Sequence, residues 1–432
     1  MKIKTRTLTY DQVMALPRPE HKLPIKPNLF FRSLIRLAAL PDLWATRFTF
    51  DTSRMEAAGD GPYLILMNHS CFLDLEIVSR IFYPKPYCIV CTSDGFVGKE
   101  WLMRHIGCIP TRKFVSDVQL IRDMTCALKE RGASVLMYPE ASYSFDGTAT
   151  PLPRKMGVLL KKLDVPLVMV TTRGAFSRDP LYNGLQKRKV KVSAHVTCLL
   201  TRQEIRERSV AALGEALDSA FTFDGFAWQQ ETGLEIREPF RADGLNRILY
   251  RCPHCGAEGK MLGRGTNLTC GGCGIRYELT PMGALQCLNG EPRFTHIPRW
   301  YAWEREQVRQ ALLDGTYRLD VDVKIGMMVD YKAIYMVGSG HLTHDRGGFT
   351  LTGCGGKLRY TQGPLACYGL YSDYYWYEIG DVICIGNQDC LYYCFPLEGD
   401  VVAKTRMAAE ELYKLTKARA LPPIPVPETA GV

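Results

Sequence analysis

The segment LILMNHSCFLDLEI, residues 64–77, runs from four apolar residues straight into Asn68 and His69 and sets Asp74 five positions beyond the histidine. A short apolar run that ends in polar residues predicts a buried strand over 63–68. Where strands alternate with helices, sites gather at the point where a strand ends and a helix begins, and His69 falls at such a junction. A neutral imidazole there takes a proton from an alcohol, and a nearby carboxylate fixes its tautomer and stabilises the imidazolium that forms. A histidine in the loop and an aspartate in the first helical turn can meet although they are five residues apart. The same pair also suits a core or capping histidine with a helix-start acid. Ser70 and Cys71 lack the Gly-x-Ser-x-Gly elbow of a nucleophile, so an external hydroxyl is the simpler reactant.

Working outward, further strands are predicted at 87–92, 134–139, 165–171 and 189–199, with a 3.6-residue apolar period over 115–131 and helical sequence over 202–230. This alternation predicts an α/β domain over 51–235, a mostly parallel sheet flanked by helices. Ahead of it, residues 1–50 carry nine Lys/Arg against three Asp/Glu, most of the net charge of +9. A basic arm suits an anionic surface, membrane or nucleic acid. The helix predicted over 28–40, with Arg32 and Arg36 on one face and Pro41 as its stop, either lies in a membrane interface or packs on its own domain.

Three further segments complete the order of an enzyme family. GCIPTRK covers 107–113, YPEASYS covers 138–144, VPLVMVTT covers 165–172, and RKMG follows the second of these at 154–157. With NHSCFLD at 68–74, they resemble, in order and spacing over residues 30–220, the four blocks of the glycerolipid acyltransferases, the 1-acyl-sn-glycerol-3-phosphate acyltransferase (lysophosphatidic acid acyltransferase-like) family. The resemblance implies transfer of an acyl chain from acyl-coenzyme A or acyl carrier protein to a hydroxyl of a lysophospholipid, making phosphatidic acid for phospholipid biosynthesis. His69 and Asp74 are then the catalytic pair, no covalent acyl-enzyme is required, and backbone N–H groups near the second block hold the oxyanion. Arg112, Lys113, Glu140, Ser142 and Tyr143 become the substrate-binding set. There are departures. Lys113 stands at the second block's arginine, Ala141 at the third block's glycine, Ser142 at its threonine and Tyr143 at the arginine that meets the acceptor phosphate. Tyrosine offers one hydrogen bond but no charge and no fork. Phosphate then falls to Arg112, Lys113, Arg154 or Arg173, or the acceptor carries no phosphate. A lipid-binding or regulatory protein on the same fold is the reading outside enzymes.

Cys252, Cys255, Cys270 and Cys273 form C-x2-C-x14-C-x2-C, each pair followed by glycine. Four thiolates at this spacing predict a small zinc ribbon over 246–284, with zinc as a structural ion and iron as the alternative. The ribbon is not rich in basic and aromatic residues, so nucleic acid is not an expected partner. Over 297–420 a helix precedes Tyr-, Val- and Thr-rich runs broken by glycine turns. That order predicts a β-rich roll with a capping helix, similar in architecture to pleckstrin-homology-like or GRAM-like modules. Its stretch YGLYSDYYWYEIG (368–380) reads as core packing or as a lipid surface. The proline-rich 421–432 is expected to be a disordered tail. With no secretory signal, no run of about 20 apolar residues and sixteen scattered cysteines, the expected location is cytoplasmic, peripheral on the inner face of the cell membrane.

Overall fold

A computed structural model describes residues 2–115, 117–184 and 186–421; most of the expected tail, 422–432, lies outside them. The strand Leu64–Met67 sits at the centre of a seven-stranded sheet, flanked by Leu167–Arg173 and Ser134–Met137. All four of its residues are buried, and they alternate between two cores. Ile65 and Met67 face a cluster with Leu73, Ile77 and Phe82, whereas Leu64 and Leu66 face one with Leu128, Leu160 and Leu213. A strand covered on both faces has no polar alternation, which is why it reads as one apolar run.

Tyr87–Thr92 and Cys108–Thr111 extend the parallel sheet on one side. On the other side Ser193–Leu200 runs antiparallel to Leu167–Arg173 and carries Thr49–Ser53 parallel to itself at the edge. The sheet is therefore mixed, with five parallel strands around the junction after Met67. The segment 115–131 becomes the helix Val118–Thr125 and a π turn, Cys126–Glu130. The 202–230 region divides into helices Arg202–Glu207, Val210–Ala220 and Gly225–Glu231.

The helix expected to stop at Pro41 runs from Leu29 to Ala45 with the proline inside it. Ala39 and Leu43, on either side of Pro41, bury in the core beneath helix Leu73–Phe82, and that packing carries the helix past the missing N–H. Its polarity also differs from the expected one. Arg32 donates to the Pro84 carbonyl and the Arg36 guanidinium lies 4.3 Å over the Tyr83 ring, so both turn toward the protein. Leu29, Phe30, Leu34, Leu37 and Trp44 are exposed instead, with Trp101 close to Phe31. No helix among the described residues is long and apolar enough to cross a membrane.

The cysteine segment forms a four-stranded antiparallel sheet, Met261–Arg264, Asn267–Cys270, Arg276–Leu279 and Leu285–Cys287. Beyond the helix Ile297–Asp314, seven antiparallel strands lie between Leu319 and Pro396, and the helix Val402–Lys417 closes the unit. Arg305 of the first helix pairs with Glu410 of the last at 2.6 Å. Thr5–Thr7 pairs in parallel with Ile334–Met336, so the start of the chain is a strand of the C-terminal sheet. One continuous core joins Phe145 and Phe226 of the first unit to Cys252 and Tyr277 of the cysteine unit and to Tyr374 and Leu412 of the last.

Candidate active site

Where Leu64–Met67 ends, Asn68 stitches two neighbouring strands together. Its Oδ1 accepts from the N–H of Thr172 at 2.7 Å, and its Nδ2 donates to the carbonyl of the same residue at 3.3 Å. This fixes the loop that presents His69. The imidazole Nδ1 lies 3.0 Å from Asp74 Oδ2. That oxygen also accepts from the backbone N–H groups of Ser70 at 2.7 Å and Cys71 at 3.1 Å. Asp74 is the second residue of its helix and is fully buried. Three donors on one oxygen hold it as an acceptor, so Nδ1 carries the proton and Nε2 keeps its lone pair. Burial shifts the imidazole below the usual histidine range, and the Asp74 bond and charge oppose that shift. The ring is therefore neutral at physiological pH.

Two tyrosines grip the imidazole. The Tyr138 ring stacks on it at 3.8 Å and 20°, and the Tyr143 ring tilts against it at 4.3 Å. Glu140, between them in sequence, accepts from the His69 N–H at 3.1 Å and from the Thr150 N–H and hydroxyl at 2.7 and 3.1 Å. It braces the 138–150 loop against the histidine, and burial raises its carboxyl to about 7. Ala141 keeps a left-handed backbone, φ 58°, a conformation that favours glycine and costs a residue with a Cβ about 1 kcal/mol. Ser142 is buried and its hydroxyl has no hydrogen-bond partner among the described residues. Cys71 is buried, and burial holds its thiol well above the usual range, so it stays protonated.

The substrate-binding residues expected from the second block separate. The charge of Lys113 acts against protonation of His69, and its ammonium lies 4.2 Å over the Tyr371 ring. Arg112 turns to the C-terminal sheet and donates to the Asn387 carbonyl at 3.1 Å. Arg154 and Arg173 are exposed.

Sequence reasoning missed the groups that arrive from far along the chain. Arg406, in the last helix, donates to the Tyr143 carbonyl at 3.4 Å and lies 4.3 Å over the Phe145 ring. Tyr371 and Trp376 both donate to Asp94, which follows the strand Tyr87–Thr92. Tyr374 packs on Phe145 at 4.8 Å. The aromatic stretch of 368–380 is thus partly packing against the first unit. No spacing rule links these positions; Tyr138, by contrast, opens the YPEASYS segment and stands one residue past the strand Ser134–Met137.

The four cysteine sulfurs lie within 4.8 Å of one another, with Cys252–Cys273 at 3.7 Å and Cys255–Cys270 at 3.8 Å. A tetrahedron of sulfurs about 2.3 Å from a central ion has edges of about 3.8 Å, so the donors fit a four-thiolate metal site. Gly256 and Gly274 take left-handed φ of 74° and 76° to close the two knuckles. His254 bonds to the Tyr277 hydroxyl at 2.7 Å and stands outside the sulfur cluster.

Comparison with known proteins agrees with this layout in part of the chain. Residues 48–173 match the acyltransferase family model. Over 142 residues, 31% of the chain, the sequence is 27% identical to the chloroplastic 1-acyl-sn-glycerol-3-phosphate acyltransferase BAT2 of Brassica napus, and it spans 41% of that relative's length. A solved structure, the 1-acyl-sn-glycerophosphate (LPA) acyltransferase PlsC of Thermotoga maritima, is similar over 44% of this chain and 76% of its own, with 14% identity and a TM-score of 0.36. The matched span encloses the buried strand, His69, Asp74 and the 138–144 loop.

Proposed function

We propose that the protein is an O-acyltransferase that moves an acyl group from a thioester, acyl-coenzyme A or acyl carrier protein, to a hydroxyl of a lysoglycerolipid. The observation that supports it most is the neutral His69, held through Nδ1 by a fully buried Asp74, with Nε2 taking no hydrogen bond among the described residues. Nε2 takes the acceptor's hydroxyl proton as its oxygen attacks the thioester carbonyl carbon. The carbon–sulfur bond then breaks, and the imidazolium returns the proton to the departing thiolate, leaving an ester and a free thiol. Asp74 stabilises the imidazolium between these steps. The protonated Cys71 favours this direct route over an acyl-cysteine.

The relative from Brassica napus is named for 1-acyl-sn-glycerol-3-phosphate, which makes that lipid the first acceptor to assay, with phosphatidic acid as product. The exposed apolar face of helix Leu29–Ala45 supports docking on the membrane that holds such acceptors. The four cysteines would hold a structural zinc, or iron, that fixes the segment between the two larger units; all four positions are filled by thiolates, which leaves no open coordination site for catalysis. The test is mass spectrometry of lipid products after incubation with vesicles, each thioester donor and a panel of acceptors, with His69→Ala alongside. A diacyl product that vanishes in His69→Ala is the expected outcome. Absence of product from folded protein with every acceptor moves the reading to a lipid-binding regulator.

A further inference from the structure

We infer that Tyr138 and Tyr143 form an aromatic clamp that sets the plane of the His69 imidazole and favours its protonated form, acting with Asp74 as positioning residues for the base. The inference rests on the acyl-transfer reading of His69, and it moves Tyr143 from the substrate-binding set to the histidine.

The segment 138–144 wraps His69 almost residue by residue. The Tyr138 ring stacks on the imidazole at 3.8 Å and 20°. Glu140 accepts from the His69 N–H at 3.1 Å. The Tyr143 ring tilts against the imidazole at 4.3 Å, and the Ser144 N–H donates to the His69 carbonyl at 3.0 Å. A tight turn lets one loop do this. The Ala141 N–H donates to the Tyr138 carbonyl at 3.0 Å, and Ala141 itself is left-handed, so both rings reach the same side chain. Arg406 of the last helix seats the second ring by donating to the Tyr143 carbonyl at 3.4 Å.

The hydrogen bond between Nδ1 and Asp74 fixes one corner of the imidazole. A stacked ring fixes its plane, and with both set Nε2 has one direction. The rings also act on charge. A cation within about 6 Å of an aromatic centroid is attracted to the ring, more strongly where water is excluded, and the His69 side chain is only 14% exposed. A neutral imidazole gains little from this. The attraction therefore appears as the proton arrives, and an interaction stronger in the transition state than in the ground state is the kind that raises kcat.

The Tyr138 hydroxyl is buried and takes no hydrogen bond among the described residues. Its oxygen does not anchor the ring, and it is the aromatic face that meets the histidine. Around the imidazole, Asp74 favours the proton and the Lys113 charge acts against it. Glu140, raised to about 7, bonds to the backbone of His69 and not to its ring. The tyrosines add to the side of Asp74.

The experiment follows the His69 imidazole by NMR across pH in the full-length protein, its signals assigned by their absence in His69→Ala. Alongside, kcat and KM are measured with acyl-coenzyme A and 1-acyl-sn-glycerol-3-phosphate. Tyr138→Leu is expected to move the His69 titration to lower pH and to lower kcat by about tenfold with little change in KM. Tyr143→Leu is expected to act in the same direction, and Tyr138→Phe, which keeps the ring, to recover most of both losses. Progressively fluorinated phenylalanines at position 138 keep the ring's shape while weakening its face, and the titration is expected to fall step by step along that series. A flat series overturns the proposal, and so does a Tyr138→Leu titration that stays or rises; the fluorinated rings decide it if Tyr138→Leu does not fold. A Tyr138→Phe titration as low as that of Tyr138→Leu overturns the assignment to the ring face, and an unmoved Tyr143→Leu titration removes Tyr143 from the clamp. Absence of transfer by the wild type with every acceptor refutes acyl transfer itself, an outcome the titrations keep separate from the clamp.

Discussion

Asp74→Asn separates two roles that an aspartate beside a catalytic histidine plays together. Asp74 Oδ2 accepts from His69 Nδ1 and from the N–H groups of Ser70 and Cys71, while Oδ1 is buried without a partner. In the variant, two backbone donors demand an oxygen at the Oδ2 position, so the amide nitrogen goes to the Oδ1 side. His69 therefore keeps its proton on Nδ1, and the tautomer survives. A turnover to the wrong tautomer costs about ten-thousand-fold in a serine-protease triad; here the loss is confined to the missing charge. With charge centres about 4 Å apart and an effective dielectric of 20, the attraction to an imidazolium is about 4 kcal/mol. A neutral hydrogen bond retains part of it, leaving a deficit of about 2–4 kcal/mol in the transition state, roughly 30- to 1,000-fold in kcat. The amide N–H groups left unsatisfied add a stability cost of about 1–3 kcal/mol. The pH profile carries a second signature. Burial lowers the His69 pKa and Asp74 raises it, so removing the charge lowers it further and the acid limb of kcat/KM moves to lower pH. Steady-state assays across pH with a saturating thioester measure both effects. An unchanged kcat, or an acid limb that moves up, refutes the base-and-orienter reasoning.

Three other outcomes follow from the same structure. Burial raises the Glu140 carboxyl from 4.5 to about 7, so the unfolded chain ionises first and stability falls as pH rises through that interval, by about 3 kcal/mol in all. Glu140→Gln removes this slope, and urea unfolding at several pH values should show the variant gaining on the wild type by about that amount between the two limits; a constant difference contradicts it. Elemental analysis should find one zinc or iron per chain, and Cys270→Ser, at a buried position, should lose the metal and lower the melting temperature; metal-free protein with an unchanged melting temperature contradicts the thiolate site. Leu34→Glu with Leu37→Glu removes two exposed leucines from the helix face. Each contributes up to about 1.5–3 kcal/mol when buried, so sedimentation with anionic vesicles should fall by about tenfold or more, and unchanged binding excludes this face.

What the sequence made legible is what is local in it. The pair His69 and Asp74 bridges one loop and one helical turn, and strand Leu64–Met67 shows its double burial as an unbroken apolar run. The knuckles of the cysteine unit are equally local, since each pair closes within four residues around a glycine. Tertiary packing overrode local rules elsewhere. Pro41 reads as a helix stop, but burial of Ala39 and Leu43 outweighs one lost hydrogen bond. Thr49–Ser53, with every residue exposed, and the four-residue Cys108–Thr111 lack the apolar signal of the central strands, and neither was anticipated. The arginines of helix Leu29–Ala45 look like a solvent face until the Tyr83 ring and the Pro84 carbonyl are placed beneath them.

The wall that the sequence concealed is the one the C-terminal sheet supplies. Asp94 is buried, and its Oδ2 accepts from both Tyr371 and Trp376. A carboxylate taken from water needs such donors, and among the described residues the C-terminal sheet supplies them. Gly98 likewise donates to the Tyr331 carbonyl at 2.8 Å, and Phe96 packs on the Tyr331 ring. Arg406 closes the third block from below while its own charge is met by Glu410 at 3.1 Å. The contacts of Asp94, Phe96, Gly98 and Tyr143 with Tyr371, Trp376, Tyr331 and Arg406 all cross from the first unit to the last. Thr5–Thr7 then ties the start of the chain into the same distant sheet. Separation of the C-terminal sheet would uncover Asp94 and remove Lys113's aromatic seat. The loop that follows the third block and the C-terminal sheet therefore share one continuous core, in which Phe145 packs with Tyr374.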